Sequence, residues 1–181
     1  MRAEVSVVAL ELFAERGFDS TTVDDIARAA GMSRTSFFRY FPTKEDVVLG
    51  HLDELGRSMA RTLADRPVDE DPWETLRLGC RAAYENAPRQ ALSLGRMLRD
   101  TPSLKARQQE KQARWQDLFI PEIATRLGLS DDPRDPRPRA LVAAGLACLD
   151  AAFQAWTAAD GAVGMEVLVD RAFAVVAPRR G

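Results

Sequence analysis

The stretch ALELFAERGFDSTTVDDIARAAGMSRTSFFRYFPTKEDVV, residues Ala9 to Val48, decides the fold of the first part of this chain. Its apolar residues recur at helical spacing, and Gly17 is placed to end a first helix. Thr22, followed three residues later by Asp25, predicts a capping pair at the start of a second, short helix that ends at Gly31. The first half of the stretch therefore predicts two helices.

The second half of the stretch predicts a tight turn and a third helix. Ser33 can cap this helix and Pro42 closes it. Two short helices joined by a turn that contains glycine form a helix-turn-helix unit, here over about residues 22–41. Lys44 then opens a longer fourth helix that ends near Asp65. We divide the chain into a head, residues 1–48, and a body, residues 49–181, with a break in composition at the acidic segment Asp65–Pro72.

The body is predicted to be helical, so the fold class is all-α: a three-helix head joined by a fourth helix to a helical body. No window alternates with period two for long enough to indicate a strand. Several body helices start at proline, which suits the first helical position, whereas Pro121 should kink or split the helix that contains it. The predicted body segments are helices at about Pro72–Asn86, Pro88–Arg99, Pro102–Leu127, Pro138–Ala159 and Gly164–Val176, with a loop at Ser130–Pro138.

Composition excludes several classes of protein. The net charge of −2 gives no global attraction to nucleic acid or to anionic lipid. Cys80 and Cys148 lie far apart in apolar segments, which favours free thiols in a reducing compartment, and one histidine leaves few ligands for a metal. Charges interrupt the N-terminal apolar run, and the longest uncharged stretch, Ala140–Leu149, is too short to span a bilayer. We expect a cytoplasmic protein without a cofactor.

Positive charge is concentrated locally. Between Arg28 and Lys44 there are four cations and no acid, although acids outnumber bases in the whole chain. On the third helix, Phe37 and Phe41 should point inward with Tyr40 beside them, because residues four apart share a face. The outward face of that helix would then enter the major groove of DNA, where arginine can bind guanine and a threonine methyl can contact thymine.

The predicted DNA contacts fall into two groups. The candidates for reading bases are Arg34, Thr35 and Arg39. Phosphates would be held by Thr22, Ser36 and Lys44, which set the register of the protein without reading the sequence.

The stretch from Ala9 to Val48 resembles the N-terminal domain of the TetR family of bacterial regulators. The resemblance implies a homodimer that reads a palindromic double-stranded operator and is released, as a repressor, by a small effector bound in the body. It also implies the phosphate and base positions given above. Two residues depart from the family pattern: Phe38 replaces a tyrosine whose hydroxyl contacts phosphate, and Tyr40 stands where histidine is common.

The body is predicted to form the dimer. The helix at Pro138–Ala159 is apolar on every side over Ala140–Leu149, so it must be covered on every side. We expect the last helix to cover part of it and a second subunit to cover the rest. A dimer would also fix the spacing between the two third helices, which are the recognition helices that enter the DNA. The side chains predicted for dimerisation are Leu146, Leu149, Phe153, Trp156, Val169 and Phe173.

Side chains of the middle helices are candidates for lining an effector cavity, although ordinary core packing is the alternative for each. They are Cys80, Tyr84, Arg96, Met97, Trp115, Phe119 and Phe153. The stretch from Leu94 to Gly128 is similar to the body of a TetR subgroup, the mycofactocin-regulator-like subgroup, which implies an acyl-CoA-like hydrophobic effector. Arg96, Arg99 and Lys105 would then pair with its phosphates.

Two other functions compete with DNA binding as interpretations of the sequence. A helical enzyme would need a nucleophile with its base, a metal cluster or a phosphate-binding loop, and the chain contains none of the corresponding motifs. His51 is interpreted as a residue of the interface between head and body. A helical module that binds a small molecule or a protein, without binding an operator, remains the alternative to a DNA-binding regulator.

Overall fold

The computed structural model describes residues 1–84, 90–129 and 134–177, and every regular element within these ranges is an α-helix. The all-α prediction is confirmed. The ends predicted at Asn86 and Pro88, and the loop residues 130–133, lie outside the described residues. The described helices are α1 Arg2–Arg16, α2 Val23–Ala29, α3 Arg34–Tyr40, α4 Glu45–Leu49, α5 His51–Ala64, α6 Pro72–Tyr84, α7 Gln90–Asp100, α8 Pro102–Arg126, α9 Arg137–Ala158 and α10 Met165–Val176.

The predicted caps set the boundaries of the head helices. The Thr22 hydroxyl accepts the backbone N–H of Asp25 at 3.2 Å, and the Asp25 carboxylate accepts the backbone N–H of Thr22 at 3.0 Å, which completes a capping box on α2. The Ser33 hydroxyl accepts the Ser36 N–H at 3.1 Å and so caps α3. Gly31, between the two helices, has a φ of 66°, a left-handed conformation that favours glycine.

Aromatic side chains form the core of the head. Phe37 is fully buried and its ring lies 5.3 Å from that of Phe41, as the spacing of four residues predicted. Phe13 of α1 packs against Phe18 in the loop that follows it, with ring centroids 4.8 Å apart. These contacts fix the angle at which α3 leaves the head and keep its opposite face free.

The predicted fourth helix is interrupted. It forms α4 and α5, which meet at Gly50, although the backbone there stays in the right-handed helical region. At the start of α4 the Thr43 hydroxyl donates to the Asp46 carboxylate at 2.8 Å and accepts the Asp46 N–H at 3.2 Å. This second threonine–aspartate pair lies at the start of α4, whose first residue is Glu45, one residue after the predicted start at Lys44.

The body packs around α8 and α9. Trp115 of α8 is buried against Gly56 of α5, and its indole N–H donates to the Leu52 carbonyl at 3.1 Å. The predicted split at Pro121 is not seen, because α8 continues to Arg126. The proline ring and Asp117, the residue that loses its helical hydrogen-bond partner, are both exposed, so water can satisfy the Asp117 carbonyl.

Within the described residues, α9 is the one helix long and apolar enough to cross a bilayer, with 39% of its apolar window buried in the protein. A single helix of this kind is weak evidence for a membrane span, since core helices share its composition. It packs against α6, α7, α8 and α10.

Candidate functional site

The outward face of α3 carries the side chains predicted to read bases. Arg34, Thr35 and Arg39 are exposed to solvent, as is Phe38, whose side chain is 41% accessible. Ser36 is half-buried at the edge of this face. The structure thus brings the predicted contact residues of α3 together on one side of a short helix, with no described segment of the chain placed over them.

Arg34 contacts two neighbouring side chains although its own side chain stays largely exposed. Its guanidinium donates to both carboxylate oxygens of Asp24 on α2, at 3.0 and 3.2 Å, and lies 5.5 Å from the centre of the Phe38 ring. The Phe38 ring in turn stands edge-on to Phe37. Because the Arg34 and Asp24 side chains are 63% and 52% exposed, their ion pair contributes little to stability, and an acceptor on another molecule can replace the carboxylate at low cost.

The far end of α3 is tied to α1. The Arg39 guanidinium lies over the Tyr40 ring at 5.1 Å, and the Tyr40 carbonyl accepts a hydrogen bond of 2.8 Å from Arg2. On the next turn of α1, the Ser6 hydroxyl donates to the Val47 carbonyl at 2.8 Å. The recognition helix and α4 are therefore both fastened to the first helix.

The three residues predicted to contact phosphates differ in whether they have a proton free to donate in a hydrogen bond. The Thr22 hydroxyl donates to Asp25, so it must give up that bond to donate to a phosphate. The Ser36 hydroxyl accepts from Ser33 at 3.0 Å, which leaves its own proton free. The Lys44 ammonium donates to the Phe18 and Thr21 carbonyls at 2.8 and 3.1 Å. An ammonium has three protons, so one remains for a phosphate.

A cavity of about 1000 Å³ lies behind the head, where α1 and α4 meet the body. Its wall includes the end of the recognition helix, because Tyr40, Phe41 and Pro42 contribute to it. Most of the rest of the wall is apolar. The apolar lining includes Leu10, Val47, Val48, Leu55, Ala83, Ala91 and Leu94, together with the aromatic ring of Tyr84.

One side of the cavity is charged. Arg107, Lys111 and Arg114 lie on successive turns of α8 and all contribute to the wall. Lys111 is 4% exposed at its side chain and pairs with Asp46 at 3.0 Å and with Asp53 at 2.7 Å. Arg107 pairs with the same Asp46 carboxylate at 3.2 Å. This ion cluster joins α8 of the body to α4 of the head.

The cluster fixes the charge state of its members. Burial alone would raise the pKa of Asp46, but hydrogen bonds from Lys111, Thr43 and Arg107 outweigh burial and hold it below its ordinary value. His51 opens onto the same cavity and its Nδ1 lies 2.9 Å from the Val48 carbonyl. Burial among protein atoms lowers the pKa of His51, so the ring is neutral at pH 7.

Comparison with known proteins identifies both parts of the chain. Residues 7–50 match the profile of bacterial regulatory proteins of the tetR family, and residues 49–181 match the profile of the MftR C-terminal domain. The chain belongs to the TetR family. It is 30% identical over 176 residues to the mycofactocin biosynthesis transcriptional regulator MftR of Mycobacterium tuberculosis, covering 95% of this chain and 87% of that protein.

Solved structures of TetR-family regulators share the fold. FadR of Thermus thermophilus, a TetR-family repressor solved in complex with lauroyl-CoA, superposes with a TM-score of 0.60 at 27% identity, over the full length of both chains. FadR of Bacillus subtilis, solved with stearoyl-CoA, superposes over the full length of both chains with a TM-score of 0.64 at 17% identity, which speaks for the fold alone. The prediction of a DNA-binding transcriptional regulator of this family is confirmed.

Within this TetR-family body, the predicted effector residues are not gathered in one place. Tyr84 lines the large cavity, whereas Phe153, Arg99 and Lys105 line a second cavity of about 430 Å³ between α7, α8 and α9. The Arg96 guanidinium pairs with Asp160 at 2.9 Å. The remaining four residues are packed in or against the apolar core and line neither cavity: Cys80, Met97, Trp115 and Phe119.

Cys80 and Cys148 are both free and buried, as predicted. Burial raises the pKa of the Cys80 thiol to about 12, so it is an unreactive core residue. Among the described residues, no three His, Cys, Asp or Glu side chains converge in a way that could hold a metal ion.

The prediction for the dimer interface needs correction. Leu149, Val169 and Phe173 are at most 1% exposed in the single chain, and Phe173 packs against Trp73 with ring centroids 4.8 Å apart. Trp156 is also buried, while Leu146 and Phe153 are half-buried. The large apolar side of α9 faces α6, α8 and α10 of its own chain, so the four buried side chains cannot also form the surface of a dimer. Leu146 and Phe153 keep exposed surface and stay predictions for the dimer.

The sequence interpretation missed the ion cluster. The sequence contained two signals for it: Thr43 and Asp46 repeat the spacing of the Thr22 and Asp25 cap, and three cations recur at helical spacing from Arg107. What joins them is tertiary contact between residues 61 apart, which a local pattern does not reveal.

Proposed function

We propose that this TetR-family regulator is a cytoplasmic homodimeric repressor, without catalytic activity, that leaves a palindromic operator when an acyl-CoA-like effector enters the large cavity. The observation that carries the proposal is the position of that cavity. It is bounded on one side by the end of the recognition helix and on the other by the body, so an occupant touches both.

The DNA contacts follow from the exposed face of α3. Arg34 and Arg39 can each donate two hydrogen bonds to a guanine, and the Thr35 methyl can contact a thymine methyl. The free protons of Ser36 and Lys44 point to phosphate contacts, and the Thr22 hydroxyl can join them by leaving Asp25. Phe38 and Tyr40 are proposed to lie against the DNA backbone, where Phe38 has no hydroxyl to donate to a phosphate.

The dimer surface is proposed to be the exposed face of α9 and α10. On α9 the small side chains of Ala140, Ala147, Ala151, Ala155 and Ala158 are exposed, at spacings that place them along one stripe. On α10, next to this stripe, Val167 and Val175 are exposed apolar residues, with Val175 87% accessible. A second copy would cover both, and alanines allow the close approach of two helices.

The effector class is supported by the cavity and by one relative. At about 1000 Å³ the cavity is at the upper end of the range of small-molecule sites, about 300–1000 Å³. Its apolar wall suits an acyl chain, and its cations suit the phosphates or carboxylate of the ligand. Thermus thermophilus FadR, 27% identical over its whole length, was solved with lauroyl-CoA.

Two measurements test the proposal. DNA selected from a random pool by the full chain should contain a palindrome, and mobility shift should give a complex with two subunits. Acyl-CoAs of increasing chain length should then raise the melting temperature of the protein and release that DNA. Failure to select any sequence would favour a helical ligand-binding or protein-binding module, and release by another ligand class alone would exclude the acyl-CoA effector.

A further inference from the structure

We propose that the Asp46 carboxylate is the point at which the head senses the cavity: an anionic group of the ligand competes with Asp46 for Arg107 and Lys111. This inference rests on the proposed function, since it requires a ligand in the cavity that controls DNA binding. It adds the chemical class of the ligand group that is sensed, an anion, and the residues that exchange partners when it binds.

The charge on the cavity wall favours an anionic ligand group. Four cations contribute to the wall, Arg2 and the three on α8, against the wall carboxylates of Asp46 and Asp53 and the Glu110 carboxylate, which pairs with Arg107 and Arg114 from outside the wall. Charges in such a partly enclosed space interact more strongly than in water. The excess of positive charge therefore stabilises an added anion next to α8 and disfavours an added cation.

Arg107 also has a hydrogen bond left to give. Its Nε is buried and is the one buried side-chain nitrogen or oxygen, in the part of the chain that the structure describes, without a hydrogen-bond partner. A buried donor without a partner costs free energy, which an incoming anionic oxygen would recover. Arg107 already divides its terminal nitrogens between Asp46 and Glu110, so it can turn to a third acceptor without leaving both.

Asp46 has little alternative to these two cations. It is among the few buried charged residues of the described chain, and within the described residues its carboxylate has one further hydrogen-bond partner, the Thr43 hydroxyl. If Arg107 and Lys111 turn to a ligand anion, a carboxylate is left buried with one neutral donor. Such a group is strongly unfavourable, so α4 must move until water reaches Asp46.

Movement of α4 would reach the recognition helix by a short route. Three residues, Phe41 to Thr43, separate α3 from Lys44 at the start of α4, and Phe41 packs on the buried Phe37 of α3. The Ser6 hydroxyl on α1 holds the Val47 carbonyl of α4. A shift of α4 therefore changes the position of α3 relative to α1, and with it the distance between the two recognition helices of a dimer.

The test compares Asp46→Asn with Glu54→Gln, a matched loss of one carboxylate on the outer side of α5, where Glu54 pairs with the exposed Arg57 and Arg61. Operator affinity is measured with and without hexadecanoyl-CoA. We expect the ligand to weaken operator binding about 5- to 150-fold in the wild type and in Glu54→Gln. In Asp46→Asn the ratio of operator affinity without the ligand to that with the ligand should fall close to 1. Hexadecanoyl-CoA itself should bind this variant more tightly, because Arg107 and Lys111 no longer have a competing carboxylate.

Tighter ligand binding is the readout that a merely structural role of Asp46 would not give, since a loosened fold binds both ligand and DNA less well. Arg107→Gln provides a second variant if Asp46→Asn does not fold. It leaves the Lys111 pair with Asp46 in place, and we expect an intermediate ratio. An unchanged ratio in both variants, with wild-type release intact, overturns the inference and leaves the proposed function standing.

The ligand arm uses four probes: hexadecanoyl-CoA, hexadecanoic acid, hexadecanol and CoA alone. Release by hexadecanoic acid assigns the sensed anion to a carboxylate, and release by hexadecanoyl-CoA without hexadecanoic acid assigns it to the phosphates. Release by hexadecanol as efficient as by the charged probes overturns the inference. If no probe releases the wild type from DNA, the proposed effector class itself has failed.

Discussion

Lys44 stabilises the head and is proposed to contact DNA, so its replacement by alanine should affect both stability and DNA binding. Its ammonium donates to the Phe18 and Thr21 carbonyls and lies 4.1 Å from the centre of the Phe18 ring. These contacts close the loop between α1 and α2 and so fix the start of α2. The third proton of the ammonium is the one available to a phosphate.

The size of the effect follows from these contacts. A hydrogen bond to a charged group contributes about 1.5–3 kcal/mol, and a cation above an aromatic ring about 0.5–1 kcal/mol at an exposed site. Phe18 and Thr21 are buried, but Lys44 is half-buried, so removal of its side chain opens a path for water to the freed carbonyls and part of that sum is recovered. We expect Lys44→Ala to lower the free energy of unfolding by about 2 kcal/mol, which for a chain of this length corresponds to a melting temperature about 4–8 °C lower.

Two assays separate the roles of Lys44. Urea unfolding measures the loss of stability, and the dependence of operator affinity on salt measures the phosphate contact, whose loss should reduce the slope by about 0.9 per subunit. Lys105→Ala removes the same charge from an exposed site on α8 and should change neither quantity. Unchanged urea unfolding of Lys44→Ala would refute the stabilising role, and an unchanged salt slope would refute the phosphate contact.

Three further changes have expected outcomes. Arg34→Ala should cost about 1–3 kcal/mol at the operator and relax selection at one base pair, whereas Asp24→Asn, which frees Arg34, should tighten binding; equal base preference in random-pool selections by Arg34→Ala and wild type would contradict this. The pKa of Asp46 in the folded protein lies below its ordinary value of 3.8, so the ionised carboxylate stabilises the fold at pH values above 3.8. This contribution is lost as the pH falls through the pKa of the folded state. Urea midpoints should therefore fall more steeply below pH 4 in wild type than in Asp46→Asn. Gly56→Ala would place a Cβ 2.4 Å from the buried Trp115 indole. This overpacking should lower the free energy of unfolding by about 1–3 kcal/mol, more than the gain of about 1 kcal/mol from helix propensity. Urea unfolding followed by tryptophan fluorescence measures the net loss.

The head could be predicted from the sequence because its signals are local. The Thr22 and Asp25 cap, the Ser33 cap and the inward pair Phe37 and Phe41 all lie within four residues of their partners, at spacings set by helix geometry. The outward face of α3 then follows, since a helix with one buried side must expose the other. The same reasoning gave the helices of the body.

The sites of the body could not be predicted because they depend on which helices become neighbours. The sequence pattern of an apolar helix such as α9 indicates that the helix must be covered. It does not indicate whether the same chain or a second copy covers a given side. Leu149 proved to be covered by the chain itself, and the exposed side carries alanines, which attract no attention in a hydrophobic pattern. Likewise, Trp115 has the size and spacing of a cavity residue, but it fills the space beside Gly56.

A short path of packed side chains leads from the cavity to the outer face of α3. A ligand in the cavity and DNA on that face could therefore act on the same few residues. Phe41 contributes to the cavity wall and packs on Phe37, and Phe37 meets the edge of Phe38, on whose ring Arg34 rests. Three rings thus separate the cavity from the guanidinium that is proposed to read bases. Close-packed side chains cannot absorb a displacement by compression, so α3 must move as a whole when Phe41 is displaced.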